Sequence, residues 1–137
     1  MSDKKTILII EDDYYISELY KAIIEKSGYT VIVAQDGNEG IEKSKAKPDM
    51  ILLDIMLPFV NGLDVLKKIK ENPDLKNIPV VLFSNLGQES IVKKAYDLGA
   101  QGYLLKVHVK PQDLTKIVKT FLDDPKHKME FNKLRLD

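Results

Sequence analysis

The sequence predicts an α/β domain, a doubly wound five-stranded parallel sheet of flavodoxin-like order 2-1-3-4-5 with five helices. Two observations predict it. Five short β-branched or aliphatic runs recur, each continuous rather than alternating in hydrophobicity, as strands covered on both faces require. Between them lie segments whose apolar residues repeat at helical spacing, and strand-helix alternation of that kind specifies parallel βα units. Right-handed crossovers and short connections then favour the doubly wound order.

The first strand is predicted over 6–10. The helix after it carries Ile16, Leu19, Tyr20, Ile23 and Ile24 on one face, and Gly28 stops it. A second strand over 30–34 leads to a helix over 38–46, closed by Pro48. The third strand, 50–53, precedes a helix over 62–71 with Leu63, Leu66 and Ile69. The fourth, 80–83, precedes a helix over 89–98 with Ile91, Val92, Ala95 and Leu98. The fifth, 102–105, precedes a helix over 111–122, where Pro111 suits the first turn and Leu114, Ile117, Val118, Phe121 and Leu122 form the apolar stripe. Residues 124–137 show no period. They read as a short C-terminal tail, docked or pairing, beyond a domain spanning 1–123, and Met129, Phe131 and Leu134 make that tail a candidate homodimer contact.

Composition narrows the function classes. A chain of 137 residues supports one ordinary core, and 44% hydrophobic content excludes a disordered chain. No apolar run approaches the roughly 18 residues of a membrane span, and the stretch 7–10 is too short for a secretory signal. A cytoplasmic location is expected, and the lack of cysteine excludes disulfides and thiolate chemistry. The 21 basic and 21 acidic side chains cancel, but unevenly: residues 1–64 hold seven lysines against twelve acids, so the remainder is positive by five. A nucleic-acid binder needs an arginine-rich basic surplus, and Arg135 is the one arginine.

In open α/β sheets ligands bind beyond the carboxyl ends of the strands, next to the point where strand order reverses. There the sequence places Glu11, Asp12 and Asp13 after the first strand, Asp54 after the third, Ser84 and Asn85 after the fourth, and Lys106 after the fifth. Singly each has an ordinary role: Asp12 or Asp13 as a helix cap, Asp54 as a turn acid, Ser84 as a cap, Lys106 as a solvated amine. Together they suit phosphoryl chemistry. Converging carboxylates repel one another unless a cation intervenes, and a hard divalent ion such as Mg²⁺ takes oxygen ligands from Glu11, Asp12 and Asp54. Asp54 is the candidate nucleophile, forming an aspartyl phosphate, with Lys106 and Ser84 as donors to phosphoryl oxygens.

Four further stretches carry a resemblance: 6–13 (TILIIEDD), 48–58 (PDMILLDIMLP) with Asn61-Gly62, 78–84 (IPVVLFS), and 99–106 (GAQGYLLK). In this order they resemble the receiver domain of two-component response regulators, over about residues 5 to 122. The resemblance implies a stand-alone, chemotaxis-type receiver in which Asp54 is phosphorylated by a sensor histidine kinase or a phosphotransfer protein. It implies Mg²⁺ held by Glu11, Asp12, Asp54 and the Met56 carbonyl, with Ser84 and Lys106 on the phosphoryl group. Tyr103 becomes the aromatic that turns inward when Ser84 moves, a packing switch biased by one new charge. Such a domain is regulatory rather than an enzyme on other molecules.

Three departures from the family pattern stand out. Val107, not proline, follows Lys106, so a trans bond is expected there. Asn85 replaces a small residue, and Asn61 stands where Asp is usual, suiting a left-handed turn. Met56 and Leu86 are apolar at the positions flanking the path of hydrolytic water, which predicts slow self-dephosphorylation. Output is expected through protein contact at the face of the fourth helix, fifth strand and fifth helix, with Lys93, Lys94, Tyr103, Lys110, Lys116 and Lys119 presented there. A monomer or a weak, phosphorylation-dependent homodimer is expected, with no membrane or direct nucleic-acid contact. A phosphorylation-independent binding module and a small Mg²⁺-dependent phosphatase are the competing classes.

Overall fold

The computed structural model describes residues 4–131. Its elements are β1 (Thr6–Ile10), α1 (Tyr14–Lys26), β2 (Thr30–Ala34), α2 (Gly37–Ser44), β3 (Met50–Asp54), α3 (Gly62–Glu71), β4 (Val80–Ser84), α4 (Glu89–Asp97), β5 (Gly102–Leu105), a 3-10 turn (Lys106–His108) and α5 (Pro111–Asp123). The five strands form one parallel sheet in the order β2-β1-β3-β4-β5, as the alternation of patterns predicts.

Continuous hydrophobicity has the expected cause. Every residue of β3 and β4 is buried, because alternate side chains feed two separate cores. Leu8, Ile10, Ile51, Leu53, Val80 and Leu82 pack against Val65, Leu66 and Ile69 of α3 and Val92 and Ala95 of α4. Ile7, Ile9, Leu52, Val81 and Phe83 pack on the other face against Tyr20 and Ile24 of α1 and Leu114, Val118 and Phe121 of α5. Each such large side chain removed from water stabilises the fold by about 1.5–3 kcal/mol before entropy is counted.

Three local expectations change. Leu19 is 54% exposed, while Ser17 joins Tyr20 and Ile24 on the buried stripe of α1, its hydroxyl satisfied by donating to the Tyr14 carbonyl at 3.0 Å. Helix α2 begins one residue earlier than predicted and ends two residues earlier, its N-terminus capped by the Asp36 carboxylate, which accepts from the Glu39 N–H at 2.8 Å. Asn61 is not left-handed. At φ −71° it caps α3, accepting from the Asp64 N–H at 3.1 Å, and the left-handed residue of that loop is Phe59 at φ 70°. No helix among the described residues is long and apolar enough to cross a membrane.

The chain after α5 is a docked tail. Residues 125–131 return along the outer edge of β5, where the Met129 N–H donates to the Gln101 carbonyl at 2.8 Å. Met129 and Phe131 pack, partly buried, within this chain. Leu134 lies outside the described residues.

Candidate functional site

Strand register assembles the candidate site. Ile10 is level with Leu53, Asp54 with Phe83, and Ser84 with Leu105. Glu11, Asp54, Ser84 and Lys106 consequently stand at nearly one height on the carboxyl rim of four adjacent strands. The two-residue alternation of strands sorts them by face. Glu11 continues the row of Ile7 and Ile9, Asp54 that of Met50 and Leu52, and Lys106 that of Leu104, all on the α1 and α5 side. Ser84 continues the row of Val80 and Leu82, the side to which Tyr103 also belongs.

The first three side chains meet. Lys106 Nζ donates to Asp54 Oδ2 at 3.0 Å, lies 2.7 Å from Glu11 Oε2, and sits 5.2 Å from the centre of the Phe83 ring. Lys106 is thus not a solvated amine: its side chain is only 13% exposed, and those of Glu11 and Asp54 are 1% and 4%. Burial lowers the affinity of Lys106 for its proton, but the Glu11 and Asp54 carboxylates outweigh that and hold its pKa above the ordinary lysine value. Burial pushes the Glu11 carboxyl up to about 7; the Lys106 ammonium and the Asp13 N–H oppose the shift, and the Asp54 charge reinforces it.

Two carboxylates around one ammonium leave the cluster short of positive charge. Glu11 Oε1 accepts from the Asp13 N–H at 2.9 Å, and the buried Oε2 is ion-paired with Lys106 Nζ at 2.7 Å and has no further hydrogen-bond partner. Asp13 caps α1, its Oδ1 accepting from the Ile16 N–H at 3.1 Å, which leaves the exposed Asp12 uncommitted. Carboxylate oxygens of Glu11, Asp12 and Asp54 lie within 4.8 Å of one another. Three converging carboxylates, two of them sharing a single ammonium, make an all-oxygen donor set that fits a hard divalent cation. Met56, the fourth expected ligand, lies in the loop beyond β3, and its N–H reaches Asp54 Oδ1 at 3.3 Å.

That loop is bent back under the rim by Gly62. A Cβ there would lie 2.1 Å from the Asp54 carbonyl oxygen, so only glycine lets α3 start so close to the Asp54 backbone. The peptide bonds of the described residues are all trans, the one after Lys106 included, and residues Lys106–His108 wind into the 3-10 turn. Asn85 is exposed beside the rim.

Ser84 and Tyr103 form the other half. Ser84 is fully buried and its Oγ accepts from the Leu86 N–H at 3.1 Å, so it caps its own turn and not α4, whose N-cap makes no side-chain bond. Tyr103 is not on the lysine-rich face. It is 3% exposed and its hydroxyl donates to the Leu86 carbonyl, an inward position. Burial raises the Tyr103 pKa, with the Ser84 hydroxyl pulling the other way. Of the lysines expected on that face, Lys93 and Lys119 are tied to Asp97 and Asp123 one turn along their own helices, and Lys94, Lys110 and Lys116 are exposed.

Sequence reasoning missed one feature of the rim. The exposed large apolar side chains of the described residues are Tyr14, Tyr15 and Leu19 on the first turns of α1, Met56 and Phe59 after β3, and Val107 after β5. All belong to the end of the sheet that carries Asp54. The adjacent aromatics Tyr14 and Tyr15, off the helical stripe, were the available signal.

Comparison with known proteins agrees with this geometry. The sequence profile described as "Response regulator receiver domain" matches residues 7–119. The chain is 37% identical over 123 residues to the transcriptional regulatory protein CrdR of Helicobacter pylori, covering 89% of this chain and 57% of CrdR. It is 39% identical over 116 residues to the chemotaxis protein CheY of Treponema pallidum, covering 82% of this chain and 76% of CheY. Among solved structures, the CheY-like receiver domain protein of Methanospirillum hungatei superposes with a TM-score of 0.84 at 29% identity, covering 90% of this chain and 98% of the other.

Proposed function

This chain belongs to the response regulator receiver domain family, and from that premise we propose that it is a phosphoacceptor switch in which Asp54 takes a phosphoryl group from a sensor histidine kinase or a phosphotransfer protein. The observation that carries the proposal is the buried cluster: a strand-end carboxylate with an ammonium at 3.0 Å and a second buried acid that shares the same ammonium at 2.7 Å. In the transfer an Asp54 carboxylate oxygen attacks phosphorus, the phosphorus-nitrogen bond of the donor imidazole breaks, and the imidazole leaves with that electron pair. Lys106 follows the negative charge from the Asp54 carboxylate to the phosphoryl oxygens, and Ser84 offers its hydroxyl proton to one of them. Glu11, Asp12, Asp54 and the Met56 carbonyl would hold Mg²⁺, which when bound supplies charge neutralisation for the transferred group. The exposed apolar collar of Tyr14, Tyr15, Met56, Phe59 and Val107 favours a protein donor, because it surrounds the entrance with surface that a docked partner would cover.

The switch would operate in the cytoplasm and answer through protein contact at the α4-β5-α5 side, its only catalysis being its own phosphorylation and dephosphorylation. Met56 is 62% exposed and Leu86 half-buried, and neither side chain can orient a water molecule, so the phosphoryl group is expected to persist for minutes or longer. Loss within seconds would contradict that lifetime. Incubation with acetyl phosphate and Mg²⁺ should add about 80 Da, the mass of one phosphoryl group, to the intact protein and none to Asp54→Asn. A wild-type chain that gains nothing would instead support a binding module, and continuous release of phosphate would support a phosphatase.

A further inference from the structure

Residues 125–131 are seated by contacts of several kinds. Gln101 Nε2 donates to the carbonyls of Pro125 and His127 at 2.6 and 2.8 Å, the Met129 N–H donates to the Gln101 carbonyl, and the Tyr96 hydroxyl donates to the Met129 carbonyl at 2.9 Å. The His127 ring meets Phe121 edge-on, and Lys128 Nζ lies 5.5 Å from the centre of the Tyr96 ring. Gly102 makes room for this path, since a Cβ there would lie 2.8 Å from Met129 Sδ. The segment ends with Phe131 against the Tyr103 ring, T-shaped with centroids 5.4 Å apart.

Phe131 is the far end of an unbroken line of contacts that begins beside the nucleophile. Its ring braces Tyr103, the Tyr103 hydroxyl holds the Leu86 carbonyl, and the Leu86 N–H holds Ser84 Oγ. In the last bond the Ser84 hydroxyl is the acceptor, so that bond does not consume its proton. Asn85 to Gln88 has no helix or strand of its own, and these bonds, with the packing of Leu86 on the core, help to hold it. Without Phe131 the Tyr103 ring can turn toward water, where its hydroxyl finds other partners, and Leu86 and Ser84 lose their anchor.

We propose that the docked segment 125–131 acts through Phe131 as a positioning element for phosphoryl transfer, holding Tyr103 inward and thereby Ser84 in its donating place before any phosphoryl group arrives. This rests on Asp54 being the phosphoacceptor. Coupling of this kind is reciprocal: a docked segment favours the phosphorylated site, and phosphorylation tightens docking by the same factor. A cover for the exposed edge of β5 would explain the same contacts without any coupling.

The test compares wild type with Phe131→Ala, Phe131→Trp and a chain ending at Asp124, all brought to equal folded fraction by circular dichroism. Intact mass gives the rate of phosphorylation by acetyl phosphate with Mg²⁺, and amide hydrogen exchange at Met129 gives docking in the full wild-type chain. Phe131→Ala and the shortened chain should be phosphorylated about 5-fold more slowly, the small end of ordinary coupling. Phe131→Trp should restore most of the rate, and Met129 exchange should slow on phosphorylation. Unchanged or faster phosphorylation of the folded variants, or Met129 exchange indifferent to phosphorylation, overturns the proposal and leaves an edge cover. The exchange measurement needs no variant and decides the matter if Phe131→Ala does not fold. A wild-type chain that takes no phosphoryl group is a different result, the failure of the phosphoacceptor reading itself.

Discussion

The rim around Asp54 and the outer edge of β5 are each built around a glycine that makes room for a neighbour, but the neighbours differ in kind. At Gly62 the neighbour is the Asp54 backbone, 2.1 Å from where a Cβ would stand; at Gly102 it is the sulfur of Met129, at 2.8 Å, on a side chain with three rotatable bonds. Backbone cannot give way and a methionine can. The rim is therefore specified rigidly, with buried charges whose partners are fixed by strand register, whereas the edge is adjustable and held by contacts that can be made or lost without disturbing the sheet.

The contrast predicts unequal responses. Gly62→Ala is the most damaging change, expected to cost about 3 kcal/mol or more in denaturant unfolding, because the added methyl overlaps backbone on both sides of the peptide after Asp54. A loss below 1 kcal/mol would mean that the rim can yield after all. Next comes Lys106→Ala, which should slow phosphorylation by acetyl phosphate about 100-fold, the usual cost of one preorganised electrostatic donor. Its Mg²⁺ affinity, read by titration calorimetry, should not weaken, since the variant removes a cation that competes for Glu11 and Asp54.

Glu11→Gln probes the same burial through pH. The folded-state pKa of about 7 lies above the ordinary value of 4.5, so the folded chain holds this proton more tightly than the unfolded one. That stabilisation is complete below pH 4.5 and is lost as pH rises through about 7. Measured without Mg²⁺, the stability difference between Glu11→Gln and wild type should therefore shift toward the variant across that window and level off above it. The shift is on the order of 2 kcal/mol, discounted from the bound set by about 1.4 kcal/mol per pKa unit for relaxation around Lys106. A flat difference would mean that Glu11 is no harder to ionise in the fold than out of it. Gly102→Ala is the mildest, costing about 1 kcal/mol or less because Met129 can swing aside. Its signature is faster amide exchange at Met129 with an unchanged core; a global loss as large as that of Gly62→Ala would erase the distinction between the two regions.

The rim was legible in the sequence because its residues follow strands. Continuous runs such as 50–53 and 80–83 located the strand ends, and the strand order then brought Glu11, Asp54, Ser84 and Lys106 to one rim. The pairing of Lys106 with Glu11 was not legible, because it depends on side-chain reach across two strands. Asp12 and Asp13 could not be told apart as cap and free acid, since either can accept from the first turn of a helix; only the backbone geometry at Asp13 decides it. The edge was hardly legible at all. Residues 125–131 carry no period, and their docking depends on Gln101, Gly102 and Tyr96, which have no sequence relation to Met129. Tyr103 was misplaced on the surface for the same reason: on strand pattern alone its outer side looks open, and Phe131 is what closes it.

The central claim, that Asp54 carries the phosphoryl group, is tested most directly by treating the protein with acetyl phosphate and Mg²⁺, reducing it with borohydride and mapping the peptides by mass. An aspartyl phosphate is reduced to homoserine, and the account predicts that conversion at position 54 alone, dependent on Mg²⁺ and absent without phosphodonor. Homoserine at Glu11's neighbour Asp12 or at Asp13, or none in a chain that has gained the phosphoryl mass, would contradict it.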